Sequence, residues 1–331
     1  AGLIGQAHLR VIQSLPGCTV SAIVDPSPAA AALAAGMGIA HHHTLEALLA
    51  VDRPDGLILA TPNALHLPHA LACIEAGLPM LLENRVVFVT GGGSGIGRAG
   101  AMAMAAQGAV VVVSDLSGAR AERVTAEITQ LGGQAQALAL DVTDDAALQG
   151  ALRDTCAQHG RLDVLHSHAG IQIPGALEEV SADQMDASWR LNVRAHFVAA
   201  QAAMPLMRAQ GKGSIIITAS NSGVQYDREM IAYATTKHAV IAMARQIAVD
   251  YARYNVRCNA LCPGFVDTAF NAGFEQQMGG RAALERYVAQ SIPMRRFGTA
   301  QEIADSIVFL ASDHSSFMSG HALVIDGAEC L

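Results

Sequence analysis

The sequence predicts an α/β protein in which a doubly wound parallel sheet has helices on both faces. Apolar runs of strand length alternate with longer helical patterns, and Val110–Val113 is apolar without interruption, which is typical of a strand buried on both faces. Glycine-rich turns also occur twice, at Ala1–Gly5 and Thr90–Gly97, each followed by a helical pattern. In both places a β-rich run then ends in an acid, Asp25 or Asp115. This repeated order of turn, helix, strand and acid predicts two α/β units.

The length supports a division into two parts. The chain has 331 residues, and a domain averages about 150 residues. We expect an incomplete unit over residues 1–84 and a complete one over residues 85–331. The first unit is expected to be incomplete because no strand precedes its glycine turn, and that strand normally lies at the centre of such a sheet.

Seven strands and two long helices are expected in the second unit. The helical patterns span Asp186–Arg208 and Met230–Tyr254. In the first unit, strands are expected at Thr19–Val24 and Met80–Leu82. The strands predicted for the second unit are Arg85–Val89, Ala109–Ser114, Ala135–Leu140, Leu162–Leu165, Ser214–Thr218, Val256–Leu261 and Ala322–Ile325.

The composition excludes several classes of protein. Hydrophobic residues make up 51% and charged residues 15%, against about 25% charged in an average soluble protein, so overall disorder is excluded. A net charge of −8 argues against nucleic acid or an anionic membrane as partner. We recognise no signal peptide and no apolar run of the roughly 20 residues that span a membrane. The six cysteines form no C-x-x-C pair, so we expect reduced thiols in a cytoplasmic protein.

The turn Thr90–Gly97 is a candidate phosphate-binding site. It follows a predicted strand and opens a helix, so its backbone could approach a pyrophosphate while the amide end of the helix faces the negative charge. A glycine cluster alone could be an ordinary turn, but the strand before it and the acid after it favour dinucleotide binding. The residues expected to contact the dinucleotide here are Thr90, Gly91, Gly95, Ile96 and Gly97.

Asp115 is predicted to select the cofactor. It ends the next strand, where a carboxylate can accept hydrogen bonds from both adenosine ribose hydroxyls. The same charge would repel the 2′-phosphate of NADP, and the next residue, Leu116, cannot neutralise that phosphate. We therefore expect NAD as the cofactor, with Asp141 and Val142 near its adenine.

Tyr233 and Lys237 are the candidate proton-transfer pair. Their spacing places a phenol and an ammonium on one helix face. A free tyrosine has a pKa of about 10, and a neighbouring cation would lower that pKa. Such a tyrosine could exchange a proton with an alcohol or carbonyl oxygen while a nicotinamide exchanges a hydride, and the lysine could also hold the nicotinamide ribose. A Tyr/Lys pair by itself is more often surface decoration.

Two further polar residues could assist that pair. Ser220 follows an apolar strand, and its hydroxyl could orient the reacting oxygen, although serines after strands are often simple turn residues. Asn192 lies in a helical pattern and could hold a water that connects Lys237 to solvent. A buried amide in a helix more commonly bonds neighbouring backbone.

Together these residues resemble the short-chain dehydrogenase/reductase family over residues 85–331. The resemblance implies a Rossmann-type fold, and a homodimer or homotetramer formed through the two long helices. It implies a catalytic tetrad of Asn192, Ser220, Tyr233 and Lys237. It also implies cofactor contacts from Tyr233 and Lys237 and, beyond the glycine turn, from Asp141, Val142, Ala169, Gly170, Pro263, Gly264, Val266 and Thr268.

One position departs from that family, and no metal site is expected. Where the family has Asn-Asn-Ala-Gly, this chain has Ser-His-Ala-Gly, so we expect His168 to alter the hydrogen bonding beside the cofactor. His168 lacks partners at metal-ligand spacing. The three side chains of His41–His43 diverge, and we expect them in a solvated loop. Cys258 and Cys262 are expected to be core or loop thiols.

Residues 1–84 resemble part of another family, the glucose-fructose oxidoreductase/inositol dehydrogenase (Gfo/Idh/MocA) group. That family's first strand, its Glu-Lys-Pro motif and its substrate domain are missing from this stretch. We therefore expect the first unit neither to catalyse nor to bind NAD tightly. The motifs that carry this resemblance are Gly2 and Gly5 with His8, Asp25, the run Ala60-Thr61-Pro62-Asn63 with His66, and the pair Ala76-Gly77.

The sequence thus predicts an NAD-dependent oxidoreductase that interconverts a secondary alcohol and a carbonyl, with Tyr233 as general acid/base. A non-catalytic NAD(H)-sensing or interaction protein is the alternative, although a sensor would not need the Tyr/Lys pair. The candidate substrate contacts are mixed in polarity and weakly favour a sugar, a polyol or a hydroxyacid-like alcohol. They are Gln225, Tyr226, Phe265 and Phe270.

Overall fold

The structure is a computed structural model that describes residues 3–14, 17–52, 54–58 and 81–331. The chain forms two compact units, Ala1–Met80 and Leu81–Leu331, and each is described by itself. The second unit therefore begins at residue 81, four residues earlier than the start at residue 85 that the sequence suggests.

The second unit is built on a seven-stranded parallel sheet with strand order β5-β4-β3-β6-β7-β8-β9. The predicted doubly wound α/β fold is confirmed, and each of the seven predicted strands coincides with an observed strand to within two residues at either end. The strands are β3 (Val86–Thr90), β4 (Val110–Asp115), β5 (Gln134–Ala139), β6 (Val164–Ser167), β7 (Gly213–Thr218), β8 (Val256–Pro263) and β9 (Ala322–Ile325).

Helices connect these strands and cover both faces of the sheet. Those of the second unit are α4 (Gly95–Ala106), α5 (Gly118–Gln130), α6 (Asp145–His159), α7 (Ala182–Trp189), α8 (Ala195–Gln210), α9 (Ile231–Tyr251), α10 (Ala272–Met278), α11 (Arg281–Ser291) and α12 (Ala300–Ala311).

The sheet separates two hydrophobic cores because successive side chains of a strand point to opposite faces. In β3, Phe88 belongs to the core that α6, α8 and α9 cover, whereas Val87 and Val89 belong to the core under α4, α5 and α12. In β7, Ile215 and Ile216 alternate in the same way. Strands with both faces covered must be apolar throughout, which is why the uninterrupted apolar runs predicted them correctly.

The first predicted long helix is interrupted. A π-helical segment, Arg190–Arg194, lies between α7 and α8, so the stretch Asp186–Arg208 is not one continuous α-helix. The second prediction, Met230–Tyr254, corresponds to α9 followed by a short 3₁₀ turn, Ala252–Tyr254.

The described part of the first unit contains three helices and a two-stranded parallel sheet. The elements are α1 (Leu3–Ser14), β1 (Ala22–Val24), α2 (Pro28–Met37), β2 (Ala40–His42) and α3 (Leu45–Leu49).

Two expectations about short segments are wrong. His41 and His42 belong to β2, where they pair with Ile23 and Val24, so this stretch is not a loop. Leu82 lies in a turn, not in the predicted strand Met80–Leu82.

Some predicted motif residues of the first unit lie outside the described residues. These are Gly2, Ala60, Thr61, Pro62, Asn63, His66, Ala76, Gly77 and Met80. Within the described residues, no helix is both long and apolar enough to cross a bilayer.

Candidate active site

A cavity of about 1230 Å³ opens at the carboxyl ends of the strands of the second unit. This edge of a doubly wound sheet is where such folds bind their ligands. The cavity brings together most of the residues predicted from the sequence. Those that line it are Gly91, Gly95, Ile96, Asp115, Asp141, Val142, Ala169, Gly170, Ser220, Tyr233, Lys237, Pro263, Gly264, Val266 and Thr268.

Thr90 and Gly97 lie behind the cavity wall and hold the glycine turn in shape. A Cβ atom added to Gly97 would lie 2.2 Å from the carbonyl oxygen of Gly91, so only glycine allows the helix start to approach the turn so closely. The Thr90 hydroxyl accepts hydrogen bonds from the backbone amides of His168 (2.9 Å) and Ala169 (3.2 Å). These bonds tie the end of β3 to the end of β6.

Asp115, the last residue of β4, has a fixed carboxylate at the β4 end of the cavity. Its two oxygens accept hydrogen bonds from the backbone amides of Gly93 and Ser117, each at 3.0 Å. Arg120 also lines this end of the cavity, on α5. The sequence pattern did not identify this arginine because it comes five residues after Asp115 and not directly beside it.

Asp141 and Val142 line the same region as a short polar turn. The Asp141 carboxylate accepts hydrogen bonds from the backbone amide (2.8 Å) and hydroxyl (2.7 Å) of Thr143. These bonds hold the pKa of Asp141 below its usual value, so the residue is a carboxylate at neutral pH.

Tyr233 and Lys237 meet in the cavity, but the predicted effect on the phenol is wrong. The Lys237 Nζ lies 5.5 Å from the centre of the Tyr233 ring and donates a hydrogen bond to the Thr218 carbonyl oxygen at 2.9 Å. Burial raises the pKa of Tyr233 to about 12, and a hydrogen bond with Ser220 offsets only part of that rise. Burial also lowers the pKa of Lys237 to about 8. Desolvation is therefore the main cause of both shifts.

Ser220 lies at the start of the turn after β7, beside the phenol. Its hydroxyl accepts a hydrogen bond from the Ser222 amide and donates one to the side-chain oxygen of Asn221, both at 3.2 Å. The resulting 3₁₀ turn, Asn221–Gly223, packs tightly against α9, because a Cβ on Gly223 would lie 2.6 Å from the carbonyl oxygen of Lys237. The turn thus places Ser220 and Tyr233 together.

Asn192 is buried in the π-helical segment and joins two parts of the site. Its side-chain oxygen accepts a hydrogen bond from the Ile171 amide at 2.8 Å, and its nitrogen donates to the Ile171 carbonyl at 2.9 Å. The nitrogen also lies 3.2 Å from the Thr236 hydroxyl on α9. A Cβ placed on Gly170 would lie 3.0 Å from the Asn192 oxygen and 3.6 Å from the Lys237 Nζ, so both polar groups face this glycine.

His168, the departure from the family pattern, lies in the cavity wall. Its Nδ1 is 3.1 Å from the Thr218 hydroxyl, which is also 3.0 Å from Nε2 of the buried His166. Burial and the positive charge of Lys237 lower the pKa of His168 to about 4, so its imidazole is neutral at physiological pH.

The cysteines near the site are buried thiols, and the described residues contain no cluster suited to a metal ion. Burial raises the pKa of Cys262 to about 12 and raises that of Cys258 further. Neither thiol is a nucleophile under such conditions.

The four predicted substrate contacts, Gln225, Tyr226, Phe265 and Phe270, all line the cavity. The structure adds three residues that the sequence did not reveal, Asn221, Tyr287 and Glu329. The position of Asn221 directly after Ser220 could have suggested that it lines the cavity. No sequence signal indicates that Glu329 lies near Asn221, because the two residues are far apart in the chain.

The residues of this cavity fit a nicotinamide dinucleotide. Gly91 and Gly95 of the glycine turn line the cavity at the N-terminus of α4, where backbone amides and the positive end of the helix dipole can face a pyrophosphate. The carboxylate of Asp115 lies at one end of the cavity wall, and the polar groups of Tyr233 and Lys237 belong to the same wall. Asp115 could hold the adenosine ribose, and Lys237 the nicotinamide ribose.

Two family models match the chain. The model described as Enoyl-(Acyl carrier protein) reductase matches residues 91–327. A model of the Gfo/Idh/MocA group, described as an oxidoreductase family with an NAD-binding Rossmann fold, matches residues 1–88. Both matches agree with the resemblances found in the sequence.

Known relatives match the second unit over almost their whole length. Levodione reductase from Leifsonia aquatica is 34% identical over 252 residues, which cover 74% of this chain and 94% of that protein. A solved protein assigned as an NAD(P)-dependent gluconate 5-dehydrogenase from Beutenbergia cavernae, with bound NADP, is 35% identical with a TM-score of 0.71, over 76% of this chain and 98% of that one. A 7α-hydroxysteroid dehydrogenase solved with NADH and 7-oxo glycochenodeoxycholic acid is 32% identical with a TM-score of 0.70. The match covers 75% of this chain and 95% of that one.

These similarities agree with the architecture and with the cavity. The relatives are named dehydrogenases and reductases, and two of them were solved with a nicotinamide nucleotide. Residues 1–88 match the Gfo/Idh/MocA model only as a short stretch, whereas the match over residues 91–327 spans most of the chain. The chain therefore belongs to the short-chain dehydrogenase/reductase family of oxidoreductases.

Proposed function

We propose that the second unit is an NAD-dependent oxidoreductase that interconverts a secondary alcohol and a carbonyl. The observation that supports this most directly is the shared cavity. It places the glycine turn and Asp115 in one wall with Ser220, Tyr233 and Lys237. A bound nicotinamide supplies the hydride chemistry, and the chain supplies orientation and proton transfer.

Tyr233 is the general acid/base of this proposal, and Ser220 orients the reacting oxygen. Because burial raises the pKa of Tyr233 to about 12, the phenol is protonated at neutral pH and can give its proton to a carbonyl oxygen during reduction. For alcohol oxidation the phenol must first lose that proton. We propose that the neutral form of Lys237, which becomes available as the pH approaches its pKa of about 8, receives this proton, and that Asn192 supports the onward path to solvent.

Replacement of Tyr233 tests this role. In Tyr233→Phe we expect kcat to fall by about 10²–10⁴, the usual contribution of general acid–base catalysis, with NADH binding unchanged. Tyr251→Phe is the matched control because Tyr251 lies on the same helix, α9, and is not among the residues that line the cavity. Turnover would be followed by NADH absorbance and binding by NADH fluorescence. If the wild type binds NADH but turns over no alcohol or carbonyl, the alternative of a non-catalytic sensor is favoured.

Asp115 supports NAD as the preferred cofactor. A carboxylate fixed by two amide hydrogen bonds can accept from ribose hydroxyls and repels a 2′-phosphate. In Asp115→Ser we expect the ratio of kcat/KM for NAD to that for NADP to fall by roughly tenfold or more, a difference of about 1.4 kcal/mol. Glu122→Gln, an exposed position on the same helix as Arg120, removes an equal charge and should leave the ratio unchanged. A wild type that prefers NADP would contradict the assignment.

We also propose a homodimer or homotetramer formed through α8 and α9. Phe197 on α8 is 50% exposed, and Val249 on α9 is 78% exposed, so both helices carry large apolar side chains on their outer faces. Such side chains are common where subunits meet. Light scattering of the purified protein would test this, and a monomer at micromolar concentration would refute it.

A further inference from the structure

Glu329, which follows β9, lies in the wall of the cavity. Its two carboxylate oxygens accept hydrogen bonds from the side-chain nitrogen of Asn221 at 2.9 Å and from the Tyr287 hydroxyl at 3.0 Å. The proposed reaction assigns no task to this carboxylate.

Glu329 is connected to the reacting end of the cavity. Asn221 donates to Glu329 through its nitrogen and accepts from the Ser220 hydroxyl through its oxygen, at 3.2 Å. Ser220 and Tyr233 line the same cavity, and the Ser220 side chain offsets part of the rise in the pKa of Tyr233. A substrate whose oxygen lies between Ser220 and Tyr233 would therefore have Glu329 as a neighbour.

The segment that carries Glu329 is held firmly in place. The Asp326 carboxylate accepts hydrogen bonds from the backbone amides of Ala328 (2.9 Å) and Cys330 (2.8 Å), on either side of Glu329. Gly264 packs against the same segment, because a Cβ there would lie 2.6 Å from the Asp326 Cβ. The carboxylate therefore has a defined position.

The chemistry of this position favours a hydrogen-bond donor in the substrate. A carboxylate offers about four acceptor sites, and Asn221 and Tyr287 occupy two of them. Phe265 and Phe274 contribute apolar surface to the surrounding wall, and Asp227, another acid, also lines it. Burial and the charge of Asp227 raise the pKa of Glu329 to about 7, so Glu329 is mainly a carboxylate above that pH, where it can accept a hydrogen bond from a substrate hydroxyl. A substrate carboxylate placed here would face two acids, whereas a hydroxyl would find a free acceptor.

We infer that Glu329 determines specificity by accepting a hydrogen bond from a second hydroxyl of the substrate, so that the enzyme prefers neutral diols and polyols to simple alcohols and to hydroxyacids. This inference rests on the proposed function. It disfavours the hydroxyacid among the substrate classes that the sequence left open.

The test compares matched substrates in the full-length protein. Butane-2,3-diol and pentane-2,4-diol would be compared with butan-2-ol and pentan-2-ol, and 3-hydroxybutanoate would serve as the anionic alcohol. We expect the wild type to show a higher kcat/KM for the diols than for the matched simple alcohols. Glu329→Gln keeps the size of the side chain, and it should lower kcat/KM for the diols by roughly tenfold or more while the simple alcohols change little. It should also improve use of 3-hydroxybutanoate.

Glu285→Gln is the control, since Glu285 lies on the same helix as Tyr287 but is exposed and pairs with Arg281. It should leave all these values unchanged. An equal loss for diols and simple alcohols in Glu329→Gln would overturn the inference and assign Glu329 to positioning Ser220. No loss for either class would also overturn it. If the wild type oxidises none of these alcohols with NAD or NADP, the proposed function itself fails.

Discussion

His166 and His196 are buried histidines beside the carboxyl end of β6. Burial lowers the pKa of both well below the usual value, because a charged imidazolium would lose its water. His196 Nδ1 lies 2.7 Å from the Ser167 hydroxyl, which holds the ring in the core. These histidines are therefore neutral in the folded protein and charged in the unfolded chain at mildly acidic pH.

This difference predicts a pH-dependent stability. The unfolded chain binds protons through the usual histidine pKa of about 6.5, while the folded protein does not, so acid favours unfolding. From pH 7.5 to 5.5, one such histidine lowers the free energy of unfolding by about 1.4 kcal/mol. His196→Asn keeps a polar group near Ser167 but cannot bind this proton. Between pH 7.5 and 5.5, we therefore expect the free energy of unfolding to fall by about 1.4 kcal/mol less in His196→Asn than in the wild type. Urea unfolding at both pH values measures the difference.

Glu329 has the opposite effect on the pH dependence of stability, so the variant must be compared with the wild type and not with a constant free energy of unfolding. Its pKa is raised to about 7 by burial, so the folded state gains protons as the pH falls and is stabilised. His314→Asn, at an exposed position, should follow the wild type. Identical pH dependence in His196→Asn and wild type would show that His196 is not buried in its neutral form.

The sequence brought Tyr233, Lys237 and Ser220 into one candidate site, and the structure has all three in one cavity, but the sequence did not predict the raised pKa of Tyr233. Spacing along a helix determines which side chains share a face, and that is local information. The pKa of Tyr233 depends on the water that the whole fold removes from the phenol, which no local pattern contains.

We propose that the glycine turn and α4 act as one element in binding the dinucleotide. Gly97 lets the first turn of α4 lie against Gly91, and a side chain there would push the two apart. We expect Gly97→Ala to weaken NADH binding by roughly tenfold or more, that is, by about 1.4 kcal/mol, with helical content retained. Fluorescence titration with NADH and circular dichroism would measure the two effects.

Gly150 provides the control for that substitution. It lies within α6, and a Cβ there would meet no atom within 4 Å. Gly150→Ala should bind NADH as the wild type does and gain about 0.4–1 kcal/mol of stability. Normal NADH binding by Gly97→Ala would show that the turn does not contact the pyrophosphate.

At the level of elements, strands were easier to predict than the interruption of a helix. Strands buried on both faces give continuous apolar runs such as Ile215–Ile217. The π-helical segment Arg190–Arg194 changes the hydrogen bonding of the backbone while the polar and apolar pattern continues across it. A π-helical turn contains one residue more than an α-helical turn, and this leaves little trace in the sequence. Such π-helical segments are nevertheless frequent at functional sites.

For the whole molecule, Leu82 indicates where the second unit begins. It is fully buried in the same core as Val87, and its amide donates a hydrogen bond to the Gln107 carbonyl at 2.9 Å. Asn84 donates in the same way to Gly108 at 3.1 Å. We therefore propose that the catalytic domain starts at residue 81.

Two truncations test this boundary. We expect the fragment 81–331 to keep NADH binding and turnover, since the cavity consists of residues of the second unit. The fragment 85–331 should be less stable by roughly 2–5 kcal/mol, the usual effect of removing a buried leucine side chain. Thermal unfolding and activity assays would measure both. A folded fragment 81–331 without activity would instead assign a role to residues 1–80.

The central position of β3 has a consequence for the synthesis of this chain. Val87 pairs with Val111 on one side and with Val164 on the other, so one edge of the strand stays open until β6 has left the ribosome. An open, apolar strand edge can pair with other nascent chains. High expression rates therefore favour inclusion bodies, and slower translation or a lower growth temperature gives the sheet time to close.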